Sequence, residues 1–144
     1  MKRYINTSLF IMFFGAVIMN VSSVMAQDSH HKIVFQLTSD NPKTWNSLLN
    51  NVENAIKDLG EDTQVEVVAH SGGLAFLVKQ TIQGEERAQV LSERGVRFLA
   101  CENTMGRKNI SKDQLVPFAE TVSSGVGYIV KRQAEGWSYI RMTD

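Results

Sequence analysis

Five short runs rich in β-branched and other apolar residues recur along the chain and constrain its fold more than any other feature. They occupy residues 32–37, 64–69, 96–100, 118–122 and 137–142. Runs of this length and composition suit buried strands. The chain between them carries helical signals. In residues 45–59 the apolar side chains fall at Trp45, Leu48, Leu49, Val52, Ala55, Ile56 and Leu59, a single buried helical stripe. Pro42 suits the first helical position and Gly60 the C-terminal cap. Asn50, Asn51 and Asn54 fall off that stripe.

Further helices are expected at 74–78, at 83–94 with Ala88, Val90 and Leu91 inward, and at 126–134 with Val126, Ile129, Val130 and Ala134 at helical spacing. Ser111 and Gln114 outline a capping box that predicts one helical turn over 112–116, stopped by Pro117. Strands alternating with helices imply parallel pairing through right-handed crossovers. The expected fold is an α/β three-layer sandwich, a five-stranded, mostly parallel sheet flanked by helices.

The amino terminus carries a different message. Lys2 and Arg3 form a basic head, residues 9–19 form an apolar run, and Val24 and Ala26 place compact residues before a polar lead-in. That design reads as a secretory signal peptide over 1–26, cut after Ala26, with a single domain over 27–144. The run is shorter than the ~20 residues a spanning helix needs, so no stable membrane insertion is expected after cleavage. Export to the periplasm follows. Without Lys2 and Arg3 the mature chain keeps 13 basic against 15 acidic side chains. No concentrated basic face interleaved with aromatics emerges, which disfavours nucleic acid. His30 and His31 are adjacent at a terminus with no further ligand at metal spacing, so no metal and no cofactor is expected.

Cys101 is the lone cysteine and stands where the third strand ends. In an open α/β sheet, ligands collect past the carboxyl ends of strands, where helices begin. Backbone N–H groups there favour a thiolate, and the amides of Asn103 and Thr104 outline an anion nest. Arg107 adds positive charge. Glu102, next in sequence, is expected to oppose the thiolate. The second strand ends similarly at His70-Ser71-Gly72-Gly73, where Gly72 and Gly73 let backbone approach a ligand closely. His70 reads either as a partner for Cys101 or as a hydrogen-bonded strand-end histidine. Trp45, Phe76 and Met105 read as core or as contacts between subunits.

Residues 95–105, Gly-Val-Arg-Phe-Leu-Ala-Cys-Glu-Asn-Thr-Met, resemble the cysteine motif of the DsrE/DsrF-like family. The Trp45 and Leu48-Leu49-Asn50-Asn51-Val52 stretch, the strand ending at His70, Ser124-Gly125-Val126 and residues 131–140 share that resemblance. It implies a DsrE/DsrF-like fold with flavodoxin-like topology and assembly as dimers, trimers or hexamers. It also implies sulfur carriage as a persulfide on Cys101, with a protein as sulfur donor or acceptor, in the manner of a sulfurtransferase. A different class stays open: an oligomeric, non-catalytic module that binds a small ligand and keeps Cys101 as a structural residue.

Overall fold

The computed structural model describes residues 31–79 and 84–144; the expected signal peptide and His30 lie outside them. Five strands form one all-parallel sheet in the order β4-β3-β2-β1-β5: β1 Lys32–Leu37, β2 Gln64–Ala69, β3 Arg97–Cys101, β4 Ala119–Val122 and β5 Ser138–Met142. The layered architecture is the expected one. The order differs from the 2-1-3-4-5 of flavodoxin, because the chain steps steadily from β1 to β4 and then returns past its start.

That path decides which face each helix covers. With right-handed crossovers, three steps in one direction put their helices on one face, and the return step puts its helix on the other. The first face is covered by α1 Pro42–Leu59, a 3₁₀ helix over Ser71–Leu77, α2 Glu85–Glu93 and α3 Glu102–Lys108. Its core includes Phe35, Leu37, Leu48, Leu49, Val67, Leu74, Phe76, Leu91, Phe98 and Met105. Burying a side chain such as Leu48 or Leu49, both wholly inaccessible, contributes about 1.5–3 kcal/mol each. Trp45, Phe76, Phe98 and Phe118 continue this core as a chain of tilted ring contacts 5.5–6.0 Å apart. Trp45, Phe76 and Met105 are therefore core.

The second face is covered by α4 Gly125–Ala134. Val34, Val68, Leu99, Ile129 and Trp137 form its smaller core. One helix over a five-stranded sheet needs only a narrow contact stripe. Of the apolar residues at helical spacing here, Ile129 is buried, while Val126 and Val130 are 58% and 59% exposed. Val90, expected inward, is 53% exposed, while Ala88 and Leu91 are buried as expected; Leu59, at the last position of α1, is also exposed. The expected helix at 74–78 is instead a 3₁₀ turn that starts earlier, at Ser71.

Local signals set the ends of these elements. Asn41 caps α1 through its side chain, which accepts from the Lys43 N–H at 3.0 Å, and Pro42 follows as expected. Gly60 and Gly136 stop α1 and α4 with φ of 111° and 84°, the left-handed region where glycine is at no disadvantage. The capping box at Ser111 and Gln114 is present.

Candidate functional site

The alternation of β3 places Phe98 and Ala100 toward α1 and Leu99 and Cys101 toward α4. Cys101 thus lies where two helices begin. It is the N-terminal flanking residue of α3, and α4 starts directly above it. The N–H of Gly125, the first residue of α4, donates to Sγ at 3.2 Å. The Thr104 hydroxyl and the amides of Thr104 and Asn103 face it as well and help to lower its pKa. The Asn103 amide is shared with the Ser123 carbonyl at 3.3 Å.

Gly125 owes this contact to its missing side chain. A Cβ there would meet Val68 Cγ1 at 3.2 Å, Cys101 Cβ at 3.3 Å and His70 Cβ at 3.4 Å. The helix start therefore rests directly on the ends of β2 and β3. Ser124 caps it by accepting from the Gly127 N–H at 3.2 Å.

Thr104 is 1% exposed, and its oxygen accepts from the Ser71 N–H at 3.2 Å and from Arg107 at 3.3 Å. With those positions filled, its proton is free for sulfur. Ser71 adopts φ 54°, the left-handed region, in the turn that presents its N–H to Thr104. Cys101 itself is 5% exposed. Burial pushes its thiol up, but the donors from Gly125, Thr104 and Asn103 outweigh burial and bring it below its ordinary value.

Glu102 does not play the opposing part expected of it. Its carboxylate accepts from the Thr121 hydroxyl at 2.7 Å and pairs with Lys112 at 3.1 Å. The Thr121 hydrogen bond, and then Lys112, hold it below the usual carboxylate range. As the first residue of α3 it points along the sheet edge toward β4.

His70 lies one register step beyond the Ala69–Ala100 pair, across from Cys101. Gln36 Nε2 approaches its Nε2 at 2.6 Å, and Ser71 Oγ lies 3.0 Å from Nδ1. Tyr139 donates to the Gln36 carbonyl oxygen, so the amide nitrogen is the donor to His70. The network assigns the ring proton to Nδ1. Burial first, then Arg107 and Arg141, lower its pKa, and the ring is neutral. Both ring nitrogens are engaged, so His70 flanks the thiol without taking its proton. Gly72 and Gly73 serve close approach to the protein's own backbone. A Cβ on Gly73 would lie 2.2 Å from the Leu37 carbonyl oxygen, and one on Gly72 2.8 Å from that of Thr38.

The structure therefore gathers Cys101, Asn103, Thr104, Arg107 and His70 at one end of the sheet and sets Gly72 and Gly73 behind them. It adds Gln36, Arg141 and Tyr139, to which the sequence reading gave no role at the site, and gives contacts there to Ser71 and Gly125, which that reading had quoted only within longer stretches. Two signals pointed that way: Gln36 is polar inside an apolar strand, and Gly125 stands at a helix start. A cleft of about 450 Å³ lies at the opposite end of the sheet, among Glu66, Arg97, Arg132 and Trp137, and none of the gathered residues lines it. Among the described residues no group of three or more His, Cys, Asp or Glu side chains is placed to hold a metal ion.

The DsrE/DsrF-like family model matches residues 31–142, which include every residue of this site. The chain belongs to the DsrE/DsrF-like family. It is similar, at 40% identity, to a solved protein of unknown function, MTH1491 from Methanobacterium thermoautotrophicum. That match covers 77% of this chain and 98% of the other with a TM-score of 0.73. Among curated proteins none matches. Membership ties this DsrE-family chain to a family generally concerned with sulfur relay. Its cysteine lies at the meeting of two helix starts, where the Gly125 N–H donates to sulfur and the surrounding donors lower the thiol's pKa.

Proposed function

We propose that this protein is an exported sulfur carrier that uses Cys101 to accept and pass on sulfane sulfur. One observation carries the reading: a lone, largely buried thiol receives the Gly125 N–H together with the Thr104 and Asn103 donors, while the nearest carboxylate, on Glu102, is engaged by Thr121 and Lys112. Burial alone would keep a cysteine protonated and inert; donors arranged around sulfur favour the thiolate that the chemistry needs.

The step balances without an external oxidant. The Cys101 thiolate attacks the outer sulfur of a donor R–S–S⁻, a new S–S bond forms, and R–S⁻ leaves with the electron pair of the broken bond. Cys101 then holds Cys–S–S⁻. An acceptor thiolate attacks that outer sulfur, takes it as its own persulfide and releases the Cys101 thiolate. The donors that hold the thiolate also stabilise it as leaving group in the second step. Thr104, braced by Arg107 and the Ser71 N–H, directs its proton to sulfur. His70, Arg107 and Arg141 form a rim suited to an anionic donor or to a partner protein. The exposed Val126 and Val130 on α4, with Tyr139 and Ile140 on edge strand β5, support self-association beside the site. The basic head and apolar run before Ala26 support export.

The test is intact mass of the protein from the exported fraction, before and after polysulfide. A gain of about 32 Da per sulfur, removed by reductant and absent in Cys101→Ser, is expected of a persulfide carrier. A mature chain beginning at Gln27 is expected in the same spectrum. No gain, with Cys101 inert to alkylation until the protein is denatured, overturns the reading in favour of a ligand-binding module with a structural cysteine.

A further inference from the structure

The sheet face beneath α4 holds one buried charge that sulfur transfer does not use. Glu66 stands within β2 at 2% exposure, level with Val34 and Arg97 on the neighbouring strands. A carboxylate is tolerated there only when paired and hydrogen-bonded. Arg132 binds both of its oxygens, Nε to Oε2 and Nη2 to Oε1, at 2.8 Å each. The Tyr128 hydroxyl donates to Oε1 at 2.9 Å, and Arg97 Nη1 does so at 2.6 Å. Two of these three partners, Tyr128 and Arg132, lie on successive turns of α4. The Arg132 guanidinium is held further over the rings of Tyr128 and Trp137, 4.8 and 4.7 Å from their centres.

Gly125 begins the same helix, one turn before Tyr128. We propose that Glu66 is a positioning residue for Cys101: its grip on Tyr128 and Arg132 fixes how α4 lies on the sheet and so holds the Gly125 N–H on Sγ. The functional meaning of this role rests on the carrier reading. Its geometry does not. Val68 and Ile129 already supply apolar contact between helix and sheet. Apolar contact leaves a helix able to slide and roll by small amounts, whereas a guanidinium fork on a carboxylate fixes direction.

Glu66 cannot act on the thiol chiefly through its charge. Along β2 it lies four residues before His70, which stands level with Cys101, a separation of roughly 13 Å at strand rise. The charged and titratable groups nearer to sulfur are His70 at the end of β2, Glu102 and Arg107 on α3, and Arg141 on β5. Those around Glu66 are Arg97 on β3 and Tyr128 and Arg132 on α4. The sign of the effect separates the two routes. Removing a negative charge favours a thiolate, while displacing the Gly125 N–H disfavours it.

The experiment is Glu66→Gln in the full chain, read by the pH dependence of Cys101 alkylation and by the amide resonance of Gly125. Glutamine keeps the shape, and the arginines are not orphaned: Arg97 retains Glu120 at 2.6 Å and Arg132 retains Glu135 at 2.7 Å. The alkylation midpoint is expected to rise by about one unit, the size set by losing one hydrogen bond to a charged group, and the Gly125 amide to move toward its free position. Leu48→Ala, a destabilising change in the opposite layer, is expected to leave both readouts in place. A midpoint that falls or stays put in folded Glu66→Gln overturns the proposal. Should that variant not fold, Tyr128→Phe, which removes a single hydroxyl, is read the same way with a smaller rise expected. Failure of wild type to take up sulfur would sink the carrier reading while this titration still decides the positioning role.

Discussion

Gly125→Ala tests the centre of the site with one methyl group. Gly125 is not among the positive-φ glycines, so alanine can adopt its backbone, and the effect is one of space. The new Cβ would meet Val68 Cγ1, Cys101 Cβ and His70 Cβ at 3.2, 3.3 and 3.4 Å. Carbon atoms prefer about 3.5–4.0 Å. Two of the three neighbours are Cβ atoms fixed to strand-end backbone and cannot swing aside. The helix start must rise by a few tenths of an ångström. The Gly125 N–H to Sγ contact, already 3.2 Å, lengthens by a similar amount.

Two energies oppose each other in stability. Alanine in a helix gains about 0.5–1 kcal/mol over glycine, and overpacking costs about 1–3 kcal/mol. The net destabilisation is therefore modest, about 1 kcal/mol. The thiol responds more clearly. A hydrogen bond to a charged acceptor contributes roughly 1.5–3 kcal/mol, and 1.36 kcal/mol corresponds to one pKa unit. Partial loss raises the Cys101 pKa by about one unit. The assay is the rate of iodoacetamide alkylation as a function of pH, with circular dichroism to confirm the fold. A folded variant whose alkylation midpoint matches wild type would refute the idea that Gly125 holds the thiolate.

The remaining expectations concern the chain's far end and its exposed face. The Asp144 carboxylate accepts from Ser39 at 2.7 Å and Thr44 at 2.8 Å, which ties the end of the described chain to the start of α1. Those hydrogen bonds, Ser39 first and then Thr44, depress its pKa. A depressed acid stabilises the fold above the ordinary carboxylate pKa and loses that effect as pH falls through its folded value. Asp144→Asn should therefore lower the melting temperature at neutral pH and flatten its decline on acidification; an unchanged acid limb would count against the contact. Val126→Ser with Val130→Ser removes exposed apolar surface and should leave the melting temperature within a few degrees, since surface changes stay within about 0.5 kcal/mol. If the proposed self-association uses this face, sedimentation velocity should show a smaller species than wild type, and an unaltered one would refute that use of Val126 and Val130.

Much of this protein was readable from local chemistry. The bounds of β1 and β2, the Pro42 start and Gly60 stop of α1, the capping box at Ser111 and the placement of Cys101 at a strand end all follow from residues within a turn or two of each other. Hydrophobic period and cap preference act over that range, so the sequence by itself determined the five strands, their parallel pairing and most of the helices, but not α3 or the 3₁₀ form of residues 71–77. Tertiary structure decided the rest. A helical stripe says that one face is buried but not how wide a neighbour covers it, so the helical spacing of Val126, Ile129 and Val130 did not show that, of the three, only Ile129 is buried on α4, the one helix on its side of the sheet among the described residues. Glu66 lies inside an apolar strand, and its meeting with Arg97, Tyr128 and Arg132, each more than 30 residues away, makes its burial tolerable. The contact of Gly125 with Cys101 spans 24 residues and exists because the return crossover lands α4 on the ends of β2 and β3. Such contacts depend on which elements become neighbours, and that is set by the packing of the whole chain.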